Sequence, residues 1–171
     1  WGKWARNNNV HPLVIMYANY EPEKTFYMDP TKMSQGERAS FSDSKPFPTP
    51  RSITKFGQAL TDNMYLASQI IQSAGNLAPE TKDKISGNPL FQPGEGVVSS
   101  DGSIDVDSLW EYIFHEAGQK CGEGWEQGFR AFVHHYMALN WQEFIDNPEK
   151  MADVDAYTFT GLAIYIATAI A

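Results

Sequence analysis

Two apolar stripes at helical spacing constrain this chain more than any other feature. Val106, Leu109, Trp110, Ile113, Phe114 and Ala117 recur at the 3.6-residue period, and so do Trp125, Phe129, Phe132, Val133, Tyr136 and Met137. Gly122-Glu123-Gly124 separates them, so the spacing predicts two helices that turn back on each other at a glycine break. No stretch alternates cleanly between apolar and polar residues, and no internal repeat is visible. The fold class is therefore all-α, a small helical bundle forming one domain over residues 1–171.

The rest of the chain fits that class. Trp1, Trp4 and Ala5 sit at helical spacing before an asparagine cluster at 7–9, and His11-Pro12 opens a second helix with proline at its favoured first position. Residues 21–44 carry turn signals and little period, and they read as a surface loop. Ile53, Phe56, Ala59 and Leu60 give the inner face of a further helix; Met64, Leu66, Ala67, Ile70 and Ile71 suggest another helix or a kinked continuation. Residues 76–104, rich in Gly, Pro and Ser, read as a long loop or insertion. Residues 156–171 contain no charged side chain, fall short of a membrane span and lack a basic flank, so they are expected to form a central bundle helix.

Charge and motif content exclude several function classes. With 13 basic and 21 acidic side chains the formal charge is −8, which disfavours broad binding to nucleic acid or an anionic membrane. The single Cys121 excludes an intrachain disulfide and suits a reducing, cytoplasmic setting. His115-Glu116 begins like a zinc-protease HExxH, but Gln119 stands where the second histidine is required. Asp101 to Asp107 resembles the start of a calcium loop, yet Val106 replaces the needed glycine and Tyr112 the bidentate glutamate. Asp105 reads instead as a helix cap, and no metal site is expected. No GxxxxGK[ST] occurs, so the chain cannot cradle a triphosphate in a P-loop by itself, and no catalytic residue is assigned to it in isolation.

What remains is the hexapeptide FPTPRS at 47–52. Pro48 and Pro50 hold the backbone extended, and Ser52 is expected to cap a helix beginning at Ile53. Thr49 and Pro50 then set the approach of Arg51, a guanidinium held out at a helix mouth and suited to phosphate or carboxylate.

WGKWARNNNVHPLVIMYANYEPEKTFYMDP, KPFPTPRSITKFGQAL, AGQKCGEGWEQGFRAFVHHYMAL and the closing NPEKMADVDAYTFTGLAIYIATAIA together resemble the C-terminal part of MoxR-type AAA+ ATPases. FPTPRS and the first helix are the specific part of the match; Ile53 departs from the family, which often has Trp there. The resemblance implies a helical lid that closes over ATP and Mg2+ held by a P-loop subdomain, and it aligns Arg51 with the sensor-2 arginine, which reaches the terminal phosphate. It further implies neighbouring ring subunits and a protein client as partners, with a chaperone-like remodelling role. Walker A, Walker B, sensor 1 and any arginine finger are missing from these residues, and Trp1 already reads as helical, so the chain is expected to be the tail of a longer polypeptide. The competing expectation is a stand-alone helical adaptor that binds proteins through aromatic surface and has no nucleotide role.

Overall fold

The computed structural model describes residues 1–26, 46–73, 77–92, 96–139 and 141–153. The expected central helix at 156–171, and most of the loop expected at 21–44, lie outside these residues. The two apolar stripes form α6 (Val106–Cys121) and α7 (Glu123–Ala138), joined through Gly122 alone. Glu126 packs by Gly118, Phe129 by Phe114, and Arg130 by Glu111, so the two helices run antiparallel. Asp105 caps α6 as its position suggested, its carboxylate accepting the backbone N–H of Asp107 and Ser108 at 3.1 and 3.2 Å.

Against this pair lie α2 (Pro12–Tyr20) and the long α4 (Pro50–Ser73), while α1 (Gly2–Arg6) packs on α2. The apolar run 53–71 is thus one continuous helix. In α2 every residue from Leu13 to Ala18 is buried. Such a helix, apolar around its circumference, has neighbours on all sides. Pro12 takes its first position, and the His11 imidazole caps it by accepting the Leu13 N–H through Nδ1 at 3.3 Å. Gly57 lets α4 approach closely here: the His11 N–H reaches the Gly57 carbonyl at 3.0 Å, and a Cβ at residue 57 would lie 2.4 Å from a Val10 methyl.

Aromatic rings from four helices form the centre. Tyr17 of α2 meets Trp125 and Phe129 of α7 at centroid distances of 5.1 and 5.7 Å; Phe56 of α4 meets the same two rings edge-on at 5.7 and 5.4 Å. Phe114 of α6 closes on Phe129 at 6.3 Å. Phe129 touches all of these elements, and removing such a ring costs about 3–5 kcal/mol.

The stretch at 76–104 is more ordered than its composition suggests. It contains α5 (Pro79–Ser86), a 3-10 turn at Pro89–Phe91 and an isolated antiparallel bridge between Val98 and Ile104. Leu90, Phe91, Val97 and Val98 are buried in the common core. Gly96 permits this by passing so near the Leu90 carbonyl that a Cβ would overlap it at 1.9 Å. The described residues form an all-helical bundle without an extended strand. They include a short α3 (Pro22–Phe26), where a surface loop was expected, and α8 (Trp141–Asp146) followed by a 3-10 segment, Pro148–Asp153. No helix among the described residues is long and apolar enough to cross a membrane.

Candidate functional site

The 47–52 stretch enters α4 one turn earlier than expected. The helix begins at Pro50, and its cap is Thr49, not Ser52. Proline at the first helical position gives up only an N–H that would lack a helical partner, while its fixed φ is already helical. Thr49 and Ser52 then satisfy each other: the Ser52 N–H donates to Thr49 Oγ1 at 3.0 Å, and the Thr49 N–H donates to Ser52 Oγ at 2.9 Å. This reciprocal pattern is a capping box with serine in the place usually held by Glu or Gln. The first helical bond, Ile53 N–H to the Thr49 carbonyl, is 2.9 Å.

Three other elements fix this turn. The Trp1 indole N–H reaches Thr54 Oγ1 at 3.3 Å, tying α1 to the first turns of α4. Gly122 supports the segment leading in: it sits at φ 89 and ψ 153, and a Cβ there would lie 2.4 Å from the Pro46 carbonyl oxygen. Cys121 is fully buried, and burial pushes its thiol up to about 12 against a smaller opposing effect of the Ser52 hydroxyl. Such a thiol is neutral packing, not a nucleophile.

Arg51 occupies the second position of α4 with its side chain exposed. Among the described residues no carboxylate pairs with it. The positive end of a helix of 24 residues adds to its charge, and both favour an anion in front of the turn. The structure therefore brings Pro48, Thr49, Pro50 and Ser52 together as a rigid mount for Arg51. Lys55, also exposed, follows Arg51 one turn along the same helix.

Beside the mount lies an open groove of about 1090 Å3 that no periodicity or motif in the chain announces. Pro46, Phe47 and Pro48 line it together with Phe114, Gly118, Trp125 and the Gly122 corner of α6 and α7. Arg51 is not among its lining residues. Glu23, Glu111, Glu123 and Glu126 contribute carboxylates, against the single guanidinium of Arg130. Arg130 is already committed: Nη1 reaches Glu111 at 2.6 Å, Nε reaches Glu126 at 2.7 Å, and its plane covers the Phe114 ring at 4.3 Å. The paired carboxylates hold Arg130 above its ordinary range, and Arg130 holds Glu111 below its own. A groove of this sign repels phosphate.

The remaining sequence candidates stay apart. His115 is exposed and contacts Gln119 at 2.8 Å; His134 is exposed and lies against Phe114. Asp101 binds the N–H and hydroxyl of Ser103 at 3.0 and 2.7 Å within its own turn. Among the described residues no three His, Cys, Asp or Glu side chains converge as a metal site. No protein-family model, curated protein or solved structure matches the chain.

Proposed function

We propose that this chain is the helical lid of a MoxR-like AAA+ ATPase, and that Arg51 is the group it presents to the terminal phosphate of ATP. The observation that carries the reading is the mount of Arg51: an exposed guanidinium, unpaired among the described residues, in the first turn of a helix of 24 residues, fixed by the Thr49–Ser52 capping box and the Gly122 corner. A phosphoryl group in transfer spreads charge over several oxygens, and a rigidly aimed cation stabilises that charge without reorganising. ATP and Mg2+ are bound by a P-loop subdomain outside these residues. The lid closes over them, and its position follows nucleotide state because Arg51 gains its partner only on closure. In a ring, that movement passes to the neighbouring subunit and drives remodelling of a protein client.

The site fits one part of this chemistry and no more. A single arginine orients and stabilises a phosphate, but it neither binds a whole nucleotide nor activates water. The purified 171-residue chain is accordingly expected to be inactive toward ATP, whereas the polypeptide containing a P-loop subdomain hydrolyses it. Steady ATP turnover by the contaminant-free chain alone contradicts the reading. So does a parent polypeptide that carries no Walker A and Walker B sequence.

A further inference from the structure

The groove beside the Arg51 mount has a composition of its own, and we propose that it docks a basic, apolar-anchored segment of a partner protein. The inference does not depend on the ATPase reading. Its exposed apolar surface comes from Phe47 with the flanking prolines 46 and 48, above a floor of the buried Phe114 and Trp125 rings, and it favours a bulky aliphatic or aromatic side chain. A volume of about 1090 Å3, open to solvent, lies at the upper end for small-molecule pockets and suits several residues of a peptide.

Charge selects the partner. Arg130 is engaged by Glu111 and Glu126, so its charge is more than offset and those three groups keep one net negative charge. Glu23 and Glu123 are exposed, line the groove, and form no ion pair among the described residues. They leave the rim negative within a protein whose net charge is −8. Lysine or arginine flanking an apolar anchor complements both features, whereas an acidic or phosphorylated segment meets repulsion. The geometry of the corner keeps the groove open: Gly118, Gly122 and Gly124 all line it, and none carries a side chain to fill it.

The three glycines also supply the readout. Titration of the 15N-labelled chain with a short synthetic peptide bearing a Leu-Trp pair flanked by lysines should shift the amide signals of Gly118, Gly122 and Gly124. Gly87 and Gly102, which do not line the groove, should stay in place. Replacing the flanking lysines by glutamates should abolish the shifts, and replacing Leu-Trp by Ser-Ser should weaken them strongly. Glu23→Lys with Glu123→Lys, both at exposed positions, should weaken binding about tenfold and flatten its salt dependence. The proposal is overturned if no basic peptide shifts these glycines at millimolar concentration, or if the glutamate peptide does so equally. Two further results overturn it by naming another occupant. Shifts that appear on diluting the protein alone would assign the groove to a second copy. Peptide binding seen only after residues 27–45 are replaced by a flexible linker would assign it to the chain itself.

Discussion

Replacing Gly122 with alanine should destabilise the chain by about 2–6 kcal/mol and loosen the mount of Arg51. Two contributions make up that figure. At φ 89 and ψ 153 the backbone lies in a region that is essentially glycine's, and holding another residue there costs about 1–3 kcal/mol. The new Cβ would also lie 2.4 Å from the Pro46 carbonyl oxygen, a backbone atom that must retreat by several tenths of an ångström. Forced displacement of that kind costs a further 1–3 kcal/mol, roughly. With a urea dependence of about 1–3 kcal/mol per molar, the unfolding midpoint should fall by at least about 0.7 M. Gly124→Ala is the control, since an added Cβ there meets nothing within 4 Å and the residue is helical; it should be neutral or gain a few tenths of a kcal/mol, roughly. A Gly122→Ala protein that melts with the wild type, with Pro46 and Phe47 undisturbed in its NMR spectrum, would refute the reasoning that the corner holds the turn.

Two further expectations concern the core. Tyr17 Oη is buried without a hydrogen-bond partner among the described residues, and burial, ahead of Glu21 and Tyr20, pushes the phenol up to about 12. Tyr17→Phe should therefore be neutral or stabilising by up to about 1 kcal/mol in chemical denaturation. A Cβ on Gly128 would lie 2.0 Å from that oxygen, so Gly128→Ala should destabilise strongly alone and much less with Tyr17→Phe, an interaction that a double-mutant cycle measures; simple additivity would refute the contact. His11 titrates near 4 instead of 6.5 because burial disfavours its cation, and its Nδ1 must stay unprotonated to accept the Leu13 N–H. Its folded pKa is depressed, so the unfolded chain binds the extra proton first. Stability is then full above pH 6.5 and is lost as pH falls toward 4, by at most about 3 kcal/mol. His11→Asn, a non-titrating cap, should flatten that part of the pH–stability curve; an unchanged slope would remove His11 from the acid response.

Helix identity was legible because α6 and α7 carry one-sided stripes and α2 an apolar run after Pro12. The exposed arginine at a proline-stiffened turn was legible too. The cap was misassigned although its signal lay in the residues: threonine directly before proline marks N-cap and first position, and Ser52 merely resembled a cap by type. Burial of Leu90, Phe91, Val97 and Val98 has no periodic trace, since it depends on Gly96 passing the Leu90 carbonyl. The groove had none either. Its lining comes from Glu23, residues 46–48 and the α6–α7 corner, segments far apart in the chain that only tertiary packing brings together.

The most direct test of the central claim is ATP turnover by the P-loop-containing polypeptide carrying Arg51→Ala, with folding checked by its melting curve. Arg51 is exposed, so its loss should leave stability nearly unchanged. A charge-assisted hydrogen bond to phosphate is worth about 1.5–3 kcal/mol, so turnover should fall by a factor of about 10–150. Arg51→Lys should recover only part of it, because a point charge cannot reproduce the planar fork. Wild-type turnover and wild-type nucleotide-dependent assembly in the folded Arg51→Ala protein would contradict the account.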